Sequence, residues 1–264
     1  MAMTYQVPRT RRFRTARSVF ALMVREMTTA YGRSVLGYLW AVIEPVAAVA
    51  LLSLVFAIAF HAPPLGTNFP LFYATGYLPF MIYTSVSNRV ATAVRFSRPL
   101  LEFPAVKSMD AVLARFVLNM LTQLTVFWIV MTGIALVFGL RLILTPDAIA
   151  LGLAMAAVLA LGVGTLNCYL FTRFPGYEQL WAIANRPLFI ASGILFLLDD
   201  VPEVWRDVLW WNPLVHVIGA MRSGFFVTYD AAYVSPAYVF ALGLAAFAFG
   251  ALLIWRRLGA ALES

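Results

Sequence analysis

Charge is scarce in this chain: 12% of its 264 residues are charged and 62% are hydrophobic. A soluble domain carries about a quarter charged residues, so the shortage excludes an ordinary soluble fold and indicates an integral membrane protein. Lysine is almost missing, Lys107 being the single one. No GxxxxGK followed by Ser or Thr occurs, so this polypeptide supplies no P-loop nucleotide site. Cysteine is limited to Cys168, which excludes an internal disulfide and a cysteine-built metal site and says nothing of redox compartment. The two histidines, His61 and His216, stand far apart without HExxH or Cys/His spacing, so no metal centre is expected. No internal repeat is apparent, which argues against an inverted-repeat secondary transporter.

What is present is apolar length. Runs near 36–60, 71–92, 111–138, 148–171, 179–198 and 236–255 each approach the roughly 20 residues that a helical span needs. They predict an all-α integral membrane protein of six transmembrane helices in a single domain over 1–264, with Pro45 and Pro187 as candidate kinks. The first run is too long for a signal-peptide core, so it is expected to stay in the mature protein. The net charge of +7 does not indicate nucleic acid, because the basic residues collect at the ends of apolar runs rather than along one soluble face. Arg9 to Arg33 precede the first run, Arg95, Arg98 and Lys107 follow the second, Arg173 follows the fourth, and Arg256 and Arg257 follow the sixth. This asymmetry predicts cytoplasmic termini.

Residues 11–31 read as an amphipathic interfacial helix. At about 100° per residue, Phe13, Phe20, Met23, Val24, Met27 and Tyr31 share a face, and Arg11, Arg14, Ser18 and Arg25 lie away from it. It is either a snorkelling anchor or a substrate-facing gate. Between the fifth and sixth runs, 213–227 is apolar but too short to cross. Pro202–Trp211 and Pro213–Val227 are therefore expected to form a re-entrant helix pair on the outer face, the alternative being a plain surface pair.

Glu44 and Arg186 stand at similar depth in the first and fifth runs, at ~1.5 Å rise per residue. Intramembrane charges are rarely idle, and the two are expected either to pair or to face a wet path. Tyr73, Tyr77 and Phe80, continued by Thr84 and edged by Tyr83, form an aromatic stripe on the second run, suited to stacking on sugar rings or simply to helix packing. Trp205, Trp210 and Trp211 form a second cluster, a sugar platform or an interfacial belt. Between Arg95 and Asp110 lies a short amphipathic stretch whose Leu100, Leu101, Phe103 and Val106 suit docking by a soluble partner, or a headgroup-lying loop. Asp199-Asp200 lacks the second acidic motif that a membrane glycosyltransferase would show, and helix termination is the expected role.

Three segments carry a family resemblance: REMTTAYGRSVLGYLWAVIEP at 25–45, RPLLEFPAVKSMDAVLARF at 98–116 and NPLVHVIGAMRSGFF at 212–226. With them the chain resembles the permease subunit of ABC-2 type exporters, over nearly its whole length, and the capsular polysaccharide group in particular. Glu44-Pro45 is nearer to that group than to the O-antigen group, where Asn-Pro is usual. The resemblance implies a transporter subunit without its own enzyme activity, in a bacterial inner membrane. Two copies form a channel, and ATP and Mg are handled by a separate nucleotide-binding subunit. That ATPase would dock on a coupling segment at 96–108, through Arg98, Leu100, Leu101, Glu102, Phe103 and Lys107. The cargo would be a lipid-linked acidic polysaccharide, passed to a periplasmic co-polymerase and an outer-membrane channel. Arg33, Glu44, Tyr73, Tyr77, Phe80, Tyr83, Arg89, Arg186, Trp205 and Trp210 are the expected substrate path. The alternatives are an ABC-2 permease for O-antigen or teichoic acid, a membrane enzyme using Asp199 and Asp200 on a polyprenyl-linked sugar, and a structural anchor.

Overall fold

In the computed structural model, residues 14–27, 35–101 and 106–258 are described; the side chains of 14, 35–38, 100–101 and 257–258 are not. Among the described residues the chain is helical, without a strand. The helices are α1 (Arg14–Glu26), α2 (Val35–Ala59), α3 (Phe69–Ala91), α4 (Ala93–Leu101), α5 (Ser108–Val137), α6 (Pro146–Arg173), α7 (Tyr177–Ala191), α8 (Glu203–Trp210), α9 (Pro213–Phe225) and α10 (Pro236–Leu253).

Helix starts follow local chemistry. Asn68 accepts a hydrogen bond from the Leu71 N–H at 2.9 Å ahead of Pro70, and Asn212 accepts one from the Leu214 N–H at 3.0 Å ahead of Pro213. A side-chain oxygen satisfies a first-turn donor, and proline's fixed φ and missing N–H suit the first turn. Thr145-Pro146 and Ser235-Pro236 open α6 and α10 in the same register.

Among the described residues four helical stretches are long and apolar enough to cross a bilayer: Leu39–Ala59, Ser108–Val137, Pro146–Arg173 and Pro236–Arg256. The second and fifth runs do not join them. α3 is long enough at 23 residues, but Thr75, Thr84, Ser85, Ser87, Asn88 and Arg89 dilute it, and much of it lies inside the bundle. α7 stops at Ala191 after 15 residues, where the sequence predicted an apolar run to 198. At ~1.5 Å per residue this is about 22 Å, short of a ~30 Å hydrocarbon core. The break has a local cause: Gly193 sits at φ +78°, in the left-handed region that favours glycine, and the Ser192 hydroxyl bonds back to the Leu188 carbonyl.

α6 is the axis of the bundle, packed most extensively against α10 and α3 and then against α9. Small residues permit these approaches: a Cβ on Gly162 would stand 2.0 Å from the Gly243 carbonyl oxygen, so α6 and α10 touch backbone to backbone. Cys168 is buried among these helices. The expected short pair is present as α8 and α9, but its members differ. α9 is buried against α6 and α3, whereas α8 has no buried residue.

α1 lies within the predicted 11–31, and it buries against protein a face beside the apolar one read from the sequence. Leu22 is buried against Ala111 and Ala114 of α5, flanked by Val19 and Met23, while Phe20, Val24 and Met27 face outward. The helix therefore carries two adjacent apolar stripes, one for protein and one free to meet lipid. Residues 11–13 and 28–34, including Phe13 and Tyr31, lie outside the described residues.

Candidate functional site

A cleft of about 460 Å³ opens between α3, α7 and the end of α6. Phe80, Thr84 and Asn88 descend one wall at four-residue spacing, one helical stripe of α3, and Thr92 just beyond the helix continues it. Glu178, Trp181, Asn185, Arg186 and Phe189 of α7 form the other wall, and Phe171 of α6 lines the end near Glu178. Phe189 closes one end, edge-on to Phe80 at 5.5 Å and to Tyr77 at 6.3 Å between ring centroids. The other end carries a forked ion pair, with Arg95 Nη1 donating to Glu178 Oε2 at 2.8 Å and Nη2 to Oε1 at 3.1 Å. Hydrogen bonding to Glu178 raises the Arg95 guanidinium above its ordinary pKa. The Thr84 hydroxyl bonds back to the Phe80 carbonyl at 3.0 Å, leaving its oxygen free to accept. Amides, hydroxyls, an arginine and aromatic edges thus face one space, a mixture suited to a polyhydroxylated anion.

The expected aromatic stripe divides. Tyr77 and Phe80 reach Phe189, but Tyr73 is buried against Phe56 at 5.1 Å and Phe72 at 5.2 Å, and Tyr83 is buried in the core. Glu44 is exposed on α2 and within electrostatic reach of Tyr77. Arg186 is exposed on the cleft. Among the described residues the ion pairs within the protomer are Arg95–Glu178 and Arg115–Glu26, and Glu44 does not join Arg186. Arg89, Arg98 and Lys107 are exposed. Asp110 accepts from the Lys107 N–H at 3.1 Å and fixes the start of α5. Arg33, Glu102 and Phe103 lie outside the described residues, as do the side chains of Leu100 and Leu101, which end α4.

Near α8, Trp205 and Trp211 are exposed, but Trp210 is committed to packing. It stacks on Tyr238 at 5.3 Å, meets His216 edge-on at 5.0 Å and donates from Nε1 to the Tyr233 carbonyl at 3.1 Å. His216 is buried with both ring nitrogens engaged. Nδ1 accepts from the Ser235 N–H at 3.2 Å, so Nε2 holds the hydrogen and donates to the Trp210 carbonyl at 2.8 Å. The Tyr229 phenol donates to Asp199 Oδ2 at 2.9 Å; burial, then Tyr233, raises its pKa, so it stays protonated.

Two buried arginines escape sequence reasoning. Arg222, inside the short apolar stretch 213–227, is 1% exposed. It donates from Nη1 to the Phe196 carbonyl at 2.8 Å and from Nη2 to the Ile194 carbonyl at 2.9 Å, over the Phe72 ring at 4.2 Å. It thereby bolts α9 to the chain leaving α7. Arg115 lies at the opposite end of the bundle, paired with Glu26 at 3.1 Å. Both fall inside the quoted motifs at 98–116 and 212–226, the only signal that could have drawn attention to them.

A family model described as ABC-2 type transporter matches residues 17–226. The chain is similar to the polysialic acid transport protein KpsM of Escherichia coli, at 31% identity over 222 residues, 84% of this chain and 86% of that one. It is also similar to the capsule polysaccharide export inner-membrane protein CtrC of Neisseria meningitidis serogroup A, at 23% identity over 91% of each chain. The capsule polysaccharide export inner-membrane protein BexB of Haemophilus influenzae matches at 24% identity over 81% of this chain and 82% of that one.

Proposed function

This chain belongs to the ABC-2 type transporter family, and on that premise we propose that it is the permease subunit of an ATP-driven exporter carrying a lipid-linked, acidic capsular polysaccharide across the bacterial inner membrane. It is a transporter subunit, not an enzyme. Two of the relatives named above are described as capsule polysaccharide export inner-membrane proteins and another as a polysialic acid transport protein, which supports an acidic glycan as cargo. In this reading two copies enclose the path, with α3 and α7 completing six spans, α8 and α9 forming the outer re-entrant pair and both termini cytoplasmic. A separate ATPase carries ATP and Mg²⁺ and grips α4 together with residues 102–107. A periplasmic co-polymerase and an outer-membrane channel take over the glycan beyond the membrane.

The observation that carries the reading is the cleft, where Arg186, with no carboxylate within ion-pair distance among the described residues, stands among Thr84, Asn88, Asn185 and the aromatic edges of Phe80 and Phe189. A polymer that must keep moving is served by weak, repeated contacts rather than by one tight site, as in multi-site conduction. Tyr77 and Phe80 contact the cargo, while Tyr73 and Tyr83 support the stripe from behind. Glu44 and Arg89 flank the path, Arg33 lies at its inner approach, and Trp205 and Trp210 stand at its outer mouth. Surface capsule in cells carrying Arg186→Ala or Asn88→Leu tests this. Export is expected to fall about tenfold, the scale of one charged contact of 1.5–3 kcal/mol, with the ATPase subunit still co-purifying. Unaltered export from both variants would remove the cleft from the path, and absence of any ATPase in the purified complex would overturn the exporter.

A further inference from the structure

Arg115 stands where four helices meet. Its Nε faces Glu26 Oε1 of α1 at 3.1 Å, and each side chain is 5% exposed. Nη1 donates to the Arg89 carbonyl at 2.9 Å and to the Thr92 hydroxyl at 2.6 Å. The guanidinium lies 4.1 Å over the ring of Phe96 on α4, and Arg25 of α1 approaches the same ring at 5.9 Å. The Arg89 carbonyl belongs to the last turn of α3, which lacks helical donors of its own, and Thr92 is the single residue separating α3 from α4. One side chain of α5 therefore holds α1, the break between α3 and α4, and the ring that anchors α4.

Stability does not account for such a group. Withdrawing two charges from water is expensive, and apolar residues of similar volume often serve a fold as well or better. What a planar guanidinium adds, with a carboxylate at one edge, two acceptors on Nη1 and a ring on its face, is a fixed mutual geometry. The apolar contact of α1 with α5, Leu22 on Ala111 and Ala114, is non-directional by comparison. We propose that Arg115 is a positioning residue of the exporter, locking α1, the α3–α4 junction and the head of α5 into one body so that displacement of α4 by the ATPase is delivered to the spans. The proposal rests on the exporter reading for its function and on the geometry alone for the lock.

The test uses the full-length chain with its ATPase subunit in liposomes, comparing wild type, Arg115→Lys and the double variant Glu26→Leu with Arg115→Met, which removes both charges together. Spin labels on cysteines replacing Phe20 of α1 and Val117 of α5, both exposed and outside the coupling segment, report the lock directly; the native Cys168 is buried. The double variant is expected to bind the ATPase and hydrolyse ATP as wild type does, to show a broadened label distance, and to export about tenfold less glycan, within the usual range of a coupling free energy. Arg115→Lys keeps the charge without the planar guanidinium and should fall between, which serves if the double variant does not accumulate. A narrow wild-type distance in both variants overturns the lock. Full export despite a broadened distance overturns the role in transport, and so does an export loss that only tracks the amount of folded protein. If wild type itself neither binds nor uses an ATPase, the exporter reading fails, while the label distances still decide the lock.

Discussion

Arg115 and Arg222 are both withdrawn from solvent, each with an aromatic ring against its guanidinium, yet they are satisfied in different ways. Arg115 has a carboxylate, a helix-terminal carbonyl and a hydroxyl. Arg222 has two carbonyls from the non-helical chain beyond α7 and, among the described residues, no carboxylate within ion-pair distance. Arg115 joins α1 and α4 to the already packed pair of α3 and α5. Arg222 instead fastens a broken helix end to a neighbour that is already buried on all sides, for α9 has eleven buried residues of its thirteen. An arginine tied to a carboxylate creates a debt when one partner goes, whereas an arginine tied to carbonyls takes its own charge away with it.

That contrast predicts an order. Arg115→Met removes the guanidinium that faces the buried Glu26 carboxylate and should destabilise the protein by about 3–5 kcal/mol. Arg222→Met leaves the Ile194 and Phe196 carbonyls without donors but also removes a buried charge, so its loss should be about 1–3 kcal/mol. Thermal unfolding of the two variants in the same detergent checks the order. Adding Glu26→Leu to Arg115→Met should recover most of the first loss, and no addition at a carboxylate should recover the second. Equal losses would mean that Arg222 has an anionic partner supplied by a second copy or a ligand.

The elements differ in how far sequence exposes them. Asn68 and Asn212 by capping, and Pro146, Pro213 and Pro236 by their fixed φ, mark helix starts because first-turn chemistry is settled within four residues. α2, α5, α6 and α10 are visible because crossing lipid demands an uninterrupted apolar count. The fifth run misleads for the same reason: Ile194-Leu195-Phe196-Leu197-Leu198 remains apolar after the helix has ended, and hydropathy does not register a backbone turned at Gly193. The aromatic stripe was correctly phased on α3, but one helix face meets different neighbours along its length. Tyr73 is therefore taken by α2 and the core, while Tyr77 and Phe80 reach α7 and the cleft. Glu44 and Arg186 were legible as costly charges, whereas whether they meet depends on packing between α2 and α7 that no spacing encodes. Arg115 and Arg222 look like ordinary flank charges until the helices around them are assembled.

The smallest effect belongs to the other ion pair, Arg95 with Glu178, which is forked, as Arg115 with Glu26 is not, but is 49% and 42% exposed on its two sides. Water and salt already screen both charges, so Glu178→Gln should lower stability by no more than about 1 kcal/mol. Even that difference should vanish when unfolding is repeated at high salt. The comparison sharpens here because the pair also closes one end of the cleft. In the isolated chain it is a surface contact, but in a complex where the cleft mouth is covered by a second copy or by an ATPase subunit the same two groups would lose their water. The Glu178→Gln penalty measured on the assembled complex would then rise toward that of Arg115→Met and become insensitive to salt. A penalty that stays small and salt-sensitive in the complex would mean that this end of the cleft remains open to water, as the approach path of an anionic glycan requires.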